Sequence, residues 1–373
     1  MVIGIDCSRA FSEHKTGTEN YSYHLVKHLL RVPDSKQHKF VLFIRPNAVI
    51  EREIVGYSNV IIKEIKLKYL WTQVGLAWET WQQWPMANGL WSMLDVLWIP
   101  AHTLPVLRKP GIRTIVTIHG LEYQWLPEYK NWLQKWYLPL STIYATKKAT
   151  KLIAVSEFTK KQLEKELHTS SNKIKVIYEG VDCAQCHSDT VSLQKYGVES
   201  KKYALFVGTV QPRKNLVALV EAFAKTQIEK LVIAGGVGWM AEDILRAPLK
   251  YGVQDRIVFT GRVSEEELES LYLGAGVYVQ PSVTEGFGLP VLEAMAMGIP
   301  VISSDGGALR EVVGEAGVII KLGNRFVERL AIAIKRVIDD KKLHNTLISM
   351  GYERVKEFSW EKTAQQTLNV LTG

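Results

Sequence analysis

The sequence predicts an α/β fold made of two domains, each a parallel sheet with helices on both faces. Three observations carry this reading. The chain has 373 residues, more than one hydrophobic core usually holds. Short apolar runs alternate with helix-length segments from end to end, the pattern of repeated βαβ units. The composition breaks near the middle: residues 1–182 hold 24 Lys/Arg against 16 Asp/Glu and nine of the eleven tryptophans, whereas residues 183–373 hold 22 of each charge. The net charge of +8 therefore lies in the first half.

In the first half, strands are expected at 2–6 (VIGID), 39–44, 96–100, 113–120, 151–156 and 173–180, with helices between most of them, including NYSYHLVKHLLRV and EFTKKQLEKEL. The boundary falls in YEGVDCAQCHSD, giving domains at 1–182 and 183–356. The second half is more regular: strands at 201–210, 230–236, 256–261, 277–282 and 300–305 enclose helices at 215–226, 264–275 and 288–298. Ser264 and Glu267 form a capping box. Pro290 suits a first helical turn and Gly298 the position after the last, so that helix should run from about 289 to 297. The final SWEKTAQQTLNVL is an amphipathic helix, 357–373 with its flanks, for which Ser359 is a ready cap. Both halves read as Rossmann-like domains.

Several classes are disfavoured. No apolar run approaches the roughly 18 residues of a membrane span, and the N-terminus lacks the basic and hydrophobic regions of a leader. The expectation is a cytoplasmic protein whose fold starts at residue 2. Of three cysteines only Cys183 and Cys186 are close, and a lone CAQC reads as incidental thiols ahead of zinc or redox chemistry. The basic half carries no nucleic-acid motif. Its two unusual stretches, 63–84 and 125–148, set Lys beside Trp and Tyr on expected helices, which suits peripheral contact with an anionic membrane. Core packing or a subunit interface stays open for the same aromatics.

Ligands of open α/β sheets bind beyond the carboxyl ends of strands, and four loops there stand out: HKTGTENY, HGLEY, GTVQPRKN and TEGFGLPVLE. Arg213 and Lys214 sit at a helix start, as a diphosphate site or as a solvated basic turn. Gly286 and Gly288 allow close backbone approach, and the following helix adds its positive end. Glu285 precedes that turn, able to face a reacting group, and Glu293 lies within the helix, where a carboxylate can accept both ribose hydroxyls. No Asp-x-Asp cation site occurs in a loop; Asp339 and Asp340 are expected within a surface helix.

E-GFGLPVL-E with the trailing AMAMGIPVISSDGGALREVVGEAG resembles the donor-domain signature of family 4 retaining glycosyltransferases of the GT-B fold. TGTENYSYHLVKHL and AVSEFTKKQL extend the resemblance into the first half. It implies two Rossmann-like domains facing each other across a cleft, with the C-terminal helix returning to the first. It also implies a nucleotide-sugar donor, no metal or other cofactor, and a glycan or lipid-linked acceptor held by the first domain. Residue by residue, Glu293 would bind the ribose, and the amides of Gly286, Phe287, Gly288 and Leu289 the sugar and diphosphate. Glu285 would contact the hexose and Lys214 with Arg213 the leaving diphosphate. His119 would lie near the anomeric centre, Gly17 in a loop over the phosphates, and Arg262 and Val263 beside the base.

Two positions depart from the family. Thr209 stands where an arginine is frequent, and the loop at Gly17 has one glycine where two are common. IGIDCSR and FVGTVQPRKN look like mannosyltransferases of surface-polysaccharide assembly, working at the inner face of the membrane, so GDP-mannose is the first expected donor. UDP-glucose and UDP-N-acetylglucosamine come next. A non-catalytic nucleotide-sugar binding subunit is the alternative outside enzymes, and an epimerase is disfavoured by EGFGLPVLE.

Overall fold

The computed structural model describes residues 1–12, 17–86, 91–121, 132–182 and 193–373, so Cys183, Cys186, residues 125–131 of the second aromatic stretch, 14–16 of HKTGTENY and 122–123 of HGLEY lie outside. Two compact units result, Met1–Gly180 with Trp360–Gly373, and Val181–Ser359. Each is a Rossmann-like α/β domain with its own parallel sheet.

The first unit contains β1 (Val2–Asp6), β2 (Lys39–Ile44), β3 (Val60–Glu64), a small antiparallel pair β4 (Trp84–Pro85) and β5 (Trp91–Ser92), then β6 (Val96–Ile99), β7 (Arg113–Ile118), β8 (Lys151–Ala154) and β9 (Ile174–Val176). Seven of these form a sheet ordered β3-β2-β1-β6-β7-β8-β9, parallel throughout. Its central strands are nearly unbroken apolar runs because helices cover both faces. The covering helices are α1 (Gly17–Arg31), the short α2 (Arg52–Val55) and α3 (Ala77–Glu79), α4 (Trp132–Lys148) and α5 (Glu157–Leu167). Ser156 caps α5 by accepting from the Thr159 amide at 3.0 Å.

The second unit holds β10 (Tyr203–Val207), β11 (Lys230–Ala234), β12 (Ile257–Gly261), β13 (Val277–Gln280), β14 (Val301–Ser304) and β15 (Gly317–Ile320), in the order β12-β11-β10-β13-β14-β15 and again all parallel. Around it lie α6 (Leu216–Ala224), α7 (Glu242–Lys250), α8 (Glu265–Gly274), α9 (Leu289–Ala296), α10 (Leu309–Val313), α11 (Phe326–Asp339) and α12 (Lys341–Val355). The chain then returns to the first unit as α13 (Trp360–Thr372), which packs on α1 and donates from Thr363 Oγ1 to the Tyr178 carbonyl at 2.7 Å.

The capping box of α8 is present in both directions, and α9 begins and ends within a residue of its expected bounds. Two expectations are corrected. Asp339 ends α11, and Asp340 lies between helices, capping α12 by accepting from the Leu343 amide at 2.9 Å. The stretch 63–84 is not a run of helix: it leaves β3, passes through an irregular, bent segment at 65–70 in which Leu70 takes a left-handed φ of 53°, and forms one compact helical segment, a π-helical turn at Trp71–Leu76 continued by α3.

Candidate active site

In the second unit the strand order reverses between β10 and β13, which are neighbours although two strands separate them in sequence. Their connections leave on opposite faces and open a crevice at the carboxyl ends, where such sheets bind ligands. The two loops that flank it carry Arg213 with Lys214 and Glu285.

The β10 loop ends in a single 3₁₀ turn, Pro212–Lys214, and Asn215 takes a left-handed φ of 56° before α6 begins. The β13 loop runs alongside. The Val283 amide donates to the Arg213 carbonyl at 2.9 Å, Asn215 Nδ2 donates to the Pro281 carbonyl at 3.2 Å, and Arg213 donates to the Thr284 carbonyl at 2.8 Å. These bonds fix the register of one loop on the other.

Glu285 is the hub of the assembly. Its Oε2 meets Arg213 at 2.6 Å, and its Oε1 accepts from Lys214 Nζ at 2.6 Å, Ser282 Oγ at 2.6 Å and Gln280 Nε2 at 3.0 Å. All three charged side chains are at least nine-tenths buried. Burial pushes the Glu285 carboxyl up, but the charges of Arg213 and Lys214, with the bonds from Lys214 and Ser282, outweigh it and bring the pKa down to about 2. Two cations against one carboxylate leave a net positive charge. Arg213 and Lys214 are thus no solvated helix start. Glu285, expected to face a sugar, directs its carboxylate to the two cations.

Behind the turn, Gly288 has φ 116°, and a Cβ there would meet Leu309 at 2.9 Å. It precedes α9 with no capping side chain; Pro290 has no N–H and the Val291 amide donates to the Gly288 carbonyl at 3.0 Å, so at this helix start the Leu289 amide is the one suited to a ligand. Phe287 and Leu289 bury their side chains, Phe287 edge-on to Phe358, so only their amides suit the expected role. Glu293 is half-buried on α9 and accepts from the Tyr272 hydroxyl at 2.8 Å. Arg262 is exposed after β12, its Nε 3.1 Å from where a Cβ on Gly236 would sit, and Val263 beside it is half-buried.

Sequence reasoning missed Gln280, Ser282 and the Gly306–Gly307 pair. Gly307 has φ 67°, and a Cβ there would lie 2.3 Å from the Glu285 carbonyl oxygen, which accepts from the Ala308 amide at 2.9 Å. The adjacent glycines of SSDGG directly after a strand were the available signal.

In the first unit, His119 follows β7. Its Nε2 lies 2.8 Å from the Pro100 carbonyl and its Nδ1 3.2 Å from Oε1 of buried Glu179. Tyr21 of α1 packs edge-on against the imidazole with ring centroids 4.6 Å apart. His102 is close by; burial, with the charges of His119 and Arg9, lowers its pKa to about 3 and keeps it neutral near pH 7. Gly17 opens α1 in an exposed position where a Cβ would meet nothing within 4 Å among the described residues.

Residues 190–354 match the family described as "Glycosyl transferases group 1" and residues 15–185 match "Glycosyltransferase Family 4". An O-antigen chain mannosyltransferase B of Escherichia coli is 30% identical over 272 residues, 69% of each chain. The chain belongs to glycosyltransferase family 4. A second relative, the O-antigen chain mannosyltransferase RfbU of Salmonella typhimurium, shares 31% identity over 57% of this glycosyltransferase and 56% of its own length. The sucrose-phosphate synthase of Thermosynechococcus elongatus superposes with a TM-score of 0.76 at 21% identity, covering 99% of this chain and 98% of its own. WaaG, a glycosyltransferase involved in lipopolysaccharide biosynthesis, gives 0.72 at 14% over the full length of both. These likenesses establish the GT-B fold.

Proposed function

We propose that this glycosyltransferase moves a hexose from a nucleotide sugar, GDP-mannose in first place, to a hydroxyl of a glycan or lipid-linked acceptor in surface-polysaccharide assembly, with retention at the anomeric carbon. The observation that carries the reading is the buried Arg213–Lys214–Glu285 cluster at the strand-order reversal of the second unit. The two relatives named as O-antigen mannosyltransferases support the donor.

In such a transfer, positive charge grows on the sugar while negative charge grows on the departing diphosphate. Fixed donors aimed at that diphosphate stabilise the transition state more than the ground state. Arg213 and Lys214 supply two of them, and the amides from Gly286 to Leu289 supply more. Glu285 holds both cations in place and meets the hexose with what its contacts leave accessible. Glu293 accepts the ribose hydroxyls, Arg262 and Val263 flank the base, Gly17 belongs to a loop over the phosphates, and His119 lies near the anomeric carbon. With this charge supplied by side chains, the reaction needs no metal, and turnover is expected to survive a chelator. The acceptor is met at the inner face of an anionic membrane.

Thermal shift with GDP, UDP and their sugars tests the donor, because a ligand that binds only the folded state stabilises it as the logarithm of its concentration over Kd. GDP and GDP-mannose should raise Tm by several degrees. A response to UDP alone would replace GDP-mannose with a UDP-sugar, and binding without mannosyl transfer or donor hydrolysis would leave a non-catalytic binding subunit.

A further inference from the structure

The first unit carries a groove of about 620 Å³ walled by Ile65, Leu67, Val74, Trp78, Trp81 and Leu107. Its rim is an aromatic and aliphatic surface rather than a closed core: Trp78 is 68% exposed, Leu107 74% and Val74 50%. Gln73 ties the parts into one face. It donates to the Leu104 carbonyl at 3.3 Å and accepts from the Val106 amide at 3.0 Å, and its Nε2 lies 3.4 Å from the Tyr137 hydroxyl of α4. Trp81 Nε1 donates to the Leu107 carbonyl at 3.1 Å. Beyond Tyr137, Trp136 and Leu140 stand one turn apart on α4, both exposed. An apolar face this continuous marks a site of contact.

The charges around it select the occupant. Lys66 and Lys68 are exposed along the irregular segment 65–70 beside the groove, and Lys63, in its wall, pairs with Glu79 at 3.5 Å. Next to Leu107 of the groove, the Lys109 amide donates to Thr80 Oγ1 at 2.9 Å and Arg108 donates to the Lys148 carbonyl at 3.2 Å, which sets the exposed Lys147–Lys148 pair near this basic run. The lining also holds Glu64 and Glu79, the latter paired with Lys63, so the excess positive charge comes from the lysines and the arginine around it. Aromatic and aliphatic side chains fringed by lysine are the signature of an interfacial surface, where rings sit at headgroup depth and cations meet anionic lipid. Two copies meeting face to face would instead oppose like charges.

We propose that this face docks on an anionic lipid bilayer, with Trp78 and Leu107 entering the headgroup boundary, Lys66 and Lys68 on lipid phosphates, and one lipid chain in the groove. The inference deepens the membrane-side reading of the acceptor and specifies the surface that makes the contact.

The test is co-sedimentation of the full chain with vesicles of phosphatidylcholine alone or mixed with phosphatidylglycerol, with tryptophan emission recorded alongside. Capture by the mixed vesicles, a blue-shifted emission and about a tenfold loss of binding from low salt to about 0.5 M are expected. The Trp78→Ser/Leu107→Ser and Lys66→Glu/Lys68→Glu pairs should each weaken binding about tenfold while GDP still raises Tm. Absence of capture at low salt, equal capture of wild type and variants, or a solution dimer that these variants split would each overturn the proposal. Donor turnover is scored separately, so vesicle binding by a chain without turnover would count against the transferase reading alone.

Discussion

A single carboxylate organises the candidate donor site. Glu285→Gln removes the charge that balances Arg213 and Lys214 and leaves buried cations exposed to each other, at a cost of about 3 kcal/mol. Turnover should fall at least about 100-fold, and near-normal turnover with any active donor would remove Glu285 from the mechanism. The same group sets an acid limit. Its folded pKa of about 2 lies below the ordinary 4.5, so its stabilisation is complete above pH 4.5 and is lost as pH falls from there through 2; acid titration followed by circular dichroism should show a smaller loss over that window in Glu285→Gln. His119 presents its two nitrogens to a carbonyl and a carboxylate. Glu179→Gln should lower kcat about tenfold with little change in donor KM and move the pH profile, and Glu179→Asp should restore part of it. The sequence pointed to Arg213, Lys214, Glu285 and Glu293 through spacing and glycines. It could not show that Glu285 turns inward, because that depends on Gln280 and Ser282, whose uncharged polar side chains look like any strand end until the sheet brings them under the carboxylate.

Elements with both faces covered were legible, since burial on two sides demands an unbroken apolar run. β2 and α5 fall at their expected residues, and β10, β11, β13 and β14 lie inside theirs. β3 and β15 were not foreseen. The first is a half-exposed edge strand whose apolar run is three residues long before Lys63 and Glu64, and the second is four residues long. The helical reading of 63–84 failed because its apolar residues serve a compact turn and an exposed face at once. At this scale the decisive contact is the glycine pair of the β14–α10 loop against the β13–α9 loop. Gly307→Val forces a β-branched residue to a positive φ and into the Glu285 backbone. A Tm decrease of about 5 °C or more, with loss of the nucleotide-induced shift, is expected by differential scanning fluorimetry.

Across the whole molecule, the excess positive charge and nearly all the tryptophans belong to one unit and the glycine-punctuated candidate donor loops to the other, a division already present in composition. The hydrogen bond at 3.1 Å from the Val181 amide to the Phe358 carbonyl places the two ends of the second unit side by side. That unit is therefore an insertion spliced between β9 and α13, entering and leaving its host at neighbouring points. A separately expressed 181–359 should fold cooperatively and still gain thermal stability from GDP. The host closes only when its last helix arrives: α13 buries Trp360, Ala364, Leu368 and Leu371, so a chain stopped at Ser359 should lose cooperative melting of the first unit alone. During synthesis the domain first begun is the last completed: its sheet is made in full before the insertion, but its apolar flank on α1 waits uncovered while the entire inserted domain is made.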